Sequence, residues 1–304
     1  MKVFVTGGRG MLGQNVRANL LSLGHEVLSP TSAELDLRNQ QETYHYISNE
    51  KPDAIIHCAA VVGGIQANIE GGGRFLTENL EVDHSVIFGA HRSNVKNFIY
   101  IGSSCMYPAN VMRPLNVEDL LTAPLEPTNA SYALAKLTGA KAVEALGAEN
   151  NRNWKTFVAS NLYGPGDHFE PGRSHLLAAV ILKVSDAINN GQDEIVMWGD
   201  GKVRREFTYI EDFSEWVSSS IDKLENYPSI LNVGCGVDYT VEEFYHFVMD
   251  ELGYKGELVK DLTKPNGNLR KLMDSTEAAA LGWAPSTTIR DGIKKTYEWL
   301  EKNK

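Results

Sequence analysis

The sequence predicts an α/β protein with a doubly wound parallel sheet and a smaller C-terminal α+β domain. Short β-branched runs alternate with longer helical patterns through the first 165 residues, as expected for right-handed βαβ units. Residues 166–304 instead mix helical stretches with short strands and prolines, which indicates a second lobe. We therefore expect domains at 1–165 and 166–304, with the chain crossing back to the sheet near 205–233.

The elements of the first domain follow from these patterns. Strands are predicted at 3–6, 26–28, 54–57, 98–101 and 156–159, and helices at 11–23, 40–49, 74–94 and 130–149. In the second domain, helices are predicted near 174–190, 211–224, 240–252 and 288–302, and strands near 194–198, 206–210 and 230–233.

Composition narrows the class of function. The formal net charge of −10 argues against nucleic acid as the main partner. No apolar run reaches the roughly 20 residues of a membrane helix, and the N-terminus does not resemble a signal peptide, so a cytoplasmic location is expected. The three cysteines form neither a disulfide framework nor a zinc spacing, and no metal is predicted.

Three glycines lie at the first strand-to-helix turn. Gly7, Gly10 and Gly13 are three residues apart in the stretch TGGRGMLG, which also contains Met11 and Leu12. Glycine at such a turn lets a pyrophosphate approach the backbone, and the amide groups at the helix start favour its negative charge. The position predicts a Rossmann dinucleotide site formed by these five residues.

The ribose end of this site distinguishes the two nicotinamide cofactors. An NAD site usually has Asp or Glu at the end of the second strand, but this chain has serine, proline and threonine at 29–32. Arg9 could meet a 2′-phosphate, which favours NADP(H), with NAD(H) as the alternative. Asp36 comes too late for the usual ribose contact, and we expect it on the adenine side.

Tyr132 and Lys136 occupy positions i and i+4 of one predicted helix. A nearby ammonium is expected to lower the pKa of the tyrosine, and Lys136 can also hold ribose hydroxyls. The fourth strand ends at Ser103, where such sheets bind ligands. A glycine turn, a strand-end serine and YxxxK, in this order, resemble the short-chain dehydrogenase superfamily, which implies catalytic roles for Ser103, Tyr132 and Lys136.

Further stretches along nearly the whole chain resemble the GDP-L-fucose synthases, NADPH enzymes that epimerise and reduce a GDP-4-keto-6-deoxymannose. The matching stretches are VGGIQAN at 62–68, GSSCMYP at 102–108, LEPTN at 125–129, NLYGP at 161–165, SH at 174–175, WG at 198–199, REF at 205–207 and KPNGNLRKLMD at 264–274. Related GDP-sugar enzymes, such as colitose and deoxyheptose synthases, share many of them. The resemblance implies an NADP(H)-dependent enzyme that acts on a GDP-sugar.

The resemblance also implies roles for individual residues. Cys105 and His175 match the acid and base of epimerisation. The residues that match the substrate site are Asn161, Lys183, Trp198, Arg205 and Lys271. Arg204 adjoins Arg205, so either arginine could be the ligand. In relatives the helices matching 74–94 and 130–149 form a two-fold interface, which implies a homodimer.

Two departures from the family pattern leave other functions open. The stretch at 29–32 lacks the usual arginine for the 2′-phosphate, and His168 replaces an asparagine close to the sugar site. The alternatives are an NDP-sugar epimerase or 4-dehydrogenase with tightly bound NAD, and a cofactor-binding sensor without catalysis. Net consumption of NADPH would separate the leading hypothesis from an epimerase.

Overall fold

The computed structural model describes residues 1–170, 174–263 and 268–303. Its strands are β1 (Lys2–Thr6), β2 (Glu26–Leu28), β3 (Ala54–His57), β4 (Asn97–Ser103), β5 (Asn153–Ala159), β6 (Asn161–Tyr163), β7 (Glu194–Trp198), β8 (Arg204–Tyr209), β9 (Ile230–Val233), β10 (Asp238–Thr240), β11 (Glu257–Asp261) and β12 (Arg270–Lys271). Its α-helices are α1 (Met11–Ser22), α2 (Gln40–Glu50), α3 (Ile65–Arg92), α4 (Ala130–Glu149), α5 (Leu176–Asn189), α6 (Ile210–Ser220), α7 (Val241–Leu252), α8 (Thr276–Ala280) and α9 (Ile289–Lys302).

Six parallel strands form the main sheet, in the order β2-β1-β3-β4-β5-β9. The chain runs outward from β1 in one direction to β2 and in the other to β3, so the order reverses between β1 and β3. Thr6 and His57 are register partners at the carboxyl ends of these two strands. Ligands of doubly wound sheets bind at this reversal, which places the first glycine turn at the expected binding edge.

Helices cover both faces of this sheet. Successive strand residues point to opposite faces, so Val3 and Val5 pack on one side and Phe4 on the other. The first side is covered by α1, α6 and α8, and the second by α2, α3 and α4. The predicted doubly wound α/β fold is confirmed.

The remaining elements build a second lobe. Strands β10, β8 and β12 adjoin in that order, β6 also pairs with β8, and β7 pairs with β11. Helices α5, α7 and α9 pack on this lobe around Leu177, Phe207, Phe244 and Leu300. The chain leaves the small sheet after β8 and re-enters the main sheet at β9. The domain boundary near residue 165 stays a prediction.

Helix α3 begins at Ile65, nine residues before the predicted start at 74. Gly71, Gly72 and Gly73 lie directly before the predicted start. The helix instead passes through them, and only Gly71 leaves helical geometry, with φ −117° and ψ 24°. Glycine 72 lies against α4, where an added Cβ would come within 3.2 Å of the Ser131 hydroxyl. Close helix packing therefore offsets the low helix propensity of this segment.

Other differences are smaller. The helix predicted at 211–224 ends at Ser220 and continues as a 3₁₀ turn. Strands β6, β10 and β12 are only two or three residues long, too short for a periodic pattern. Strand β11 is mostly exposed and pairs with β7, so it lacks the apolar run of a buried strand.

Candidate active site

The glycine turn has the geometry of a phosphate cradle. Gly7 has φ +66°, and a Cβ added to Gly13 would lie 2.2 Å from the Gly7 carbonyl oxygen. Helix α1 begins after Gly10 without a side-chain cap, which leaves amide groups of its first turn, at Met11 and Leu12, without an internal partner. These residues therefore fit the diphosphate of a dinucleotide, because backbone donors and a close approach are both present.

Residues around the end of β2 define the ribose side. The Ser29 hydroxyl donates to the Val5 carbonyl oxygen at 3.0 Å. Arg9 is exposed and close enough to Glu34 to affect the pKa of that carboxyl, which places Arg9 beside the loop that follows β2. Arg38 holds the carboxylate of Asp36 with two donors, at 2.9 and 2.8 Å. Sequence analysis missed Arg38, the partner of Asp36.

Tyr132 and Ser103 meet at the carboxyl end of β4, where the Ser103 side chain hydrogen-bonds the phenol. Burial and the nearby Cys105 raise the pKa of Tyr132, and the hydrogen bond from Ser103 only partly opposes them. The expectation that Lys136 lowers this pKa is wrong for this structure, because desolvation dominates. The phenol is therefore protonated at neutral pH and can donate a proton.

Lys136 lies on the same helix and is only 2% exposed. Its Nζ is 3.9 Å from the centroid of the Tyr100 ring. Burial lowers the pKa of Lys136, and the negative charge of Asp83 opposes this effect. Sequence analysis missed both Tyr100 and Asp83. An acidic residue on the buried face of α3 was the available signal, because unpaired buried carboxylates are costly.

Cys105 lies among donors from three other segments. Asn129 Nδ2 is 3.1 Å from the sulfur, and Lys271 Nζ is 3.5 Å from it. Arg205 is close as well: burial lowers its pKa, and the proximity of Glu126 and Cys105 opposes that shift. The structure thus brings Cys105, Lys271 and Arg205 together and adds Asn129.

The two adjacent arginines of β8 point in different directions. Arg204 donates to the Asp238 carboxylate at 3.0 Å and to its carbonyl oxygen at 2.6 Å. Arg205 donates to the backbone oxygen of Asn268 at 2.6 Å and lies on the Cys105 side. Since side chains alternate along a strand, only Arg205 faces the site.

His175 is the residue immediately before α5. A Cβ added to Gly64 would come within 2.9 Å of the Ser174 carbonyl oxygen, so the 62–68 stretch packs against this histidine segment. Phe75 lies beside Gly63 of the same stretch and meets the Tyr132 ring edge-on at 6.4 Å between centroids. Burial, with a smaller effect of His168, lowers the pKa of His175, which makes its imidazole neutral at pH 7.

The other predicted substrate residues lie in the second lobe. Asn161 donates to the Glu206 carbonyl oxygen at 2.9 Å, between β6 and β8. Lys183 donates to the Val196 carbonyl oxygen at 2.7 Å, on the strand that ends at Trp198. Trp198 is 58% exposed. Residues 264–267 of the last matching stretch lie outside the described residues.

Within residues 1–170, 174–263 and 268–303, no cluster of three His, Cys, Asp or Glu side chains could hold a metal ion. No helix in these ranges is both long and apolar enough to span a membrane.

The doubly wound α/β fold and the glycine cradle together define an enzyme class that uses a dinucleotide cofactor. The comparison with known protein families agrees with this class. The model of the NAD dependent epimerase/dehydratase family matches residues 3–234. The chain therefore belongs to this family.

Individual relatives and solved structures are similar to nearly the whole chain. A GDP-L-fucose synthase of Azorhizobium caulinodans is 44% identical, with 98% of this chain and 96% of the relative covered. A GDP-L-colitose synthase of Yersinia pseudotuberculosis is 41% identical over 100% and 99%. Among solved structures, the GDP-mannoheptose C4 reductase of Campylobacter jejuni with NADP bound superposes with a TM-score of 0.89, at 30% identity and 99% and 98% coverage. The resemblance to GDP-L-fucose synthases is confirmed.

Proposed function

We propose that this chain is an NADPH-dependent epimerase-reductase of a GDP-4-keto-6-deoxy sugar. The substrate is GDP-4-keto-6-deoxy-D-mannose or a close relative, and the product is GDP-L-fucose or a related GDP-deoxy sugar. One observation carries the proposal: the Cys105 sulfur, with its Asn129 and Lys271 donors, lies beside the Ser103–Tyr132 pair. One site therefore holds groups for two kinds of proton transfer to one sugar ring.

Epimerisation uses the acidity that a C4 ketone gives to the ring protons at C3 and C5. The neutral imidazole of His175 can accept such a proton, because burial lowers its pKa. Cys105 is the second proton-transfer group, with the Lys271 ammonium 3.5 Å from its sulfur. A proton removed on one face and returned on the other inverts that carbon.

Reduction follows at C4. A nicotinamide cofactor held by the glycine turn and Lys136 would supply the hydride for this carbon. Tyr132, protonated because of its burial, donates its proton to the developing alkoxide, and Ser103 holds the same oxygen. Lys136, one helical turn from Tyr132 on α4, contributes a positive charge to this site.

Cationic side chains support binding of the nucleotide sugar. Arg205 offers a planar guanidinium suited to bidentate contact with a phosphate, and Lys183 and Lys271 add point charges. Asn161 lies at the β6–β8 junction, and Trp198 presents an exposed aromatic ring on which a base can stack.

The decisive experiment supplies GDP-4-keto-6-deoxymannose and NADPH in heavy water and follows the sugar by NMR. We expect deuterium at C3 and C5 of the product and one NADPH oxidised per product formed. Epimerisation without net NADPH oxidation would instead indicate the alternative epimerase with tightly bound NAD.

We further propose that NADP(H) is the preferred cofactor, because Arg9 is exposed beside the loop after β2. Arg9→Ala should raise the Kd for NADPH about tenfold, since a charge-assisted contact to the 2′-phosphate is lost. The Kd for NADH should stay nearly constant. Fluorescence titration measures both values, and Arg17→Ala, an exposed arginine of α1, is the control. Equal weakening of both cofactors would contradict the assignment.

A homodimer is proposed through α3 and α4, which pack against one another on one sheet face. Ile65, Ile69 and Leu134 of these helices are 51%, 56% and 46% exposed, a pattern typical of an interface. Light scattering should give twice the mass of one chain, and Ile69→Glu should shift the protein toward monomer. Leu23→Glu, at the end of α1 on the opposite face, should remain dimeric. A monomeric wild type would refute the proposal.

A further inference from the structure

The environment of Lys136 contains a buried charge network that the proposed reaction does not account for. The Lys136 ammonium lies over the face of Tyr100, and the Tyr100 ring is fully buried. The face of an aromatic ring carries partial negative charge and attracts a cation, more strongly where water is excluded. The ring therefore replaces part of the hydration that Lys136 loses on burial.

The hydroxyl of Tyr100 donates to the carboxylate of Asp83, a residue of α3 that is 2% exposed. A phenol that donates to a carboxylate gains electron density in its ring, because the hydrogen bond is polarised. Asp83 thus acts on Lys136 in two ways: directly by charge, and through the ring between them. Gly139 makes this arrangement fit, since a Cβ there would lie 2.4 Å from the Tyr100 hydroxyl and 2.8 Å from Asp83 Oδ2.

The second oxygen of Asp83 is held by the other side of the network. His57 Nε2 donates to it at 3.0 Å, and burial lowers the pKa of His57, so this ring is neutral. The Thr6 hydroxyl donates to His57 Nδ1 at 2.6 Å and accepts the Ala59 amide at 3.1 Å. Each donor in this series of hydrogen bonds has an acceptor, and both carboxylate oxygens of Asp83 accept a hydrogen bond.

Asp83 stays ionised in this setting. Burial alone would raise its pKa, but Lys136, His57 and Tyr100 together bring it below the usual value. The other titratable groups near Lys136 carry no negative charge at neutral pH. Burial raises the pKa of the Cys58 thiol to about 12, and it also raises the pKa of Tyr132 and Tyr100. Among the described residues that face the ammonium, Asp83 is the anion.

We propose that Asp83 is a positioning residue for the reaction: its buried carboxylate, acting directly and through Tyr100, keeps Lys136 protonated and fixed over the Tyr100 ring, one helical turn from Tyr132. The inference rests on the proposed function for the role of Lys136, but the charge state of Lys136 can be measured without any turnover.

The direct test is a titration of Lys136 in the cofactor-free protein. In lysine labelled with ¹³C at Cε, the Lys136 resonance is assigned by its disappearance in Lys136→Arg. We expect Asp83→Asn to move the titration midpoint of Lys136 at least about one pH unit lower, the size of effect of an opposite charge nearby. A midpoint equal to that of the wild type would overturn the proposal.

Two further variants serve as a second replacement of Asp83 and as a control for this titration. Asp83→Ser is a second neutral replacement, and it decides the matter if Asp83→Asn does not fold. Asp212→Asn, on α6, removes a carboxylate that binds Thr287 and should leave the Lys136 midpoint unchanged. A shift in this control as large as that of Asp83→Asn would contradict a specific role of Asp83.

The pH profile of hydride transfer links the network to catalysis. In Asp83→Asn the alkaline limb should move to lower pH in step with the Lys136 midpoint, because the neutral amine no longer supports proton transfer. An unchanged limb alongside a shifted midpoint would contradict the positioning role. A wild type without turnover would refute the proposed function, while the titration would still decide the charge relation between Asp83 and Lys136.

Discussion

Tyr132→Phe is expected to slow reduction at C4 by a factor of about 10² to 10⁴, the usual contribution of a general acid. The phenylalanine ring keeps the edge-on contact with Phe75 but lacks the proton that the buried phenol donates. NADPH binding should change little, since Lys136 and the glycine cradle remain. Stopped-flow measurement of NADPH oxidation at saturating substrate gives the rate, and fluorescence titration gives the Kd.

Tyr254→Phe is the matched control for the loss of a tyrosine hydroxyl. This hydroxyl donates to the Gln192 carbonyl oxygen in the second lobe, away from the site. Its removal should lower the free energy of unfolding slightly and leave the rate of C4 reduction unchanged. If Tyr132→Phe keeps more than about a tenth of the wild-type rate, another group supplies the proton.

Cys105→Ala should produce the second large effect, a drop of about 100-fold or more in deuterium uptake at C3 and C5. The substitution removes the sulfur that Asn129 and Lys271 contact, but it leaves Ser103 and Tyr132 in place. The variant should therefore still reduce the unepimerised ketone at C4. NMR in heavy water separates the two activities, because deuterium reports proton exchange and the C4 signal reports reduction.

Cys235→Ala tests whether the loss of any half-buried thiol has the same effect. The Cys235 thiol donates to the Val237 carbonyl oxygen at 3.3 Å, and burial raises its pKa to about 12. We expect normal deuterium uptake in this variant. Uptake at the wild-type rate in Cys105→Ala would remove the assigned role of Cys105.

Local patterns in the sequence were sufficient for the features that a single segment encodes. Gly7, Gly10 and Gly13 follow a strand and open a helix, and Tyr132 and Lys136 are one helical turn apart, so their neighbourhood follows from chain geometry. The shift in the pKa of Tyr132 could not be predicted in the same way. The direction of this shift depends on how deeply the ring is buried, and residue spacing does not encode burial.

Contacts between groups that meet only in the folded protein could not be predicted, even where one residue, such as Asp83, carried a signal of its own. His57, Asp83 and Tyr100 come from β3, α3 and β4, and their hydrogen bonds join residues far apart in the chain. Asn129 reaches Cys105 from 24 positions away. The choice between Arg204 and Arg205 was open for a related reason: it needed the register of β8 against β10.

Gly139 is a helical glycine that cannot be replaced by alanine to increase the thermal stability of this enzyme without disturbing its site. Alanine in the interior of a helix is favoured over glycine by about 0.5–1 kcal/mol, so α4 carries a residue that weakens it at its centre. A single methyl group there would collide with the tyrosine–carboxylate pair under the lysine. Replacing helical glycines by alanine is a common way to raise the melting temperature. At position 139 the same substitution would displace Tyr100 or Asp83 and so disturb Lys136.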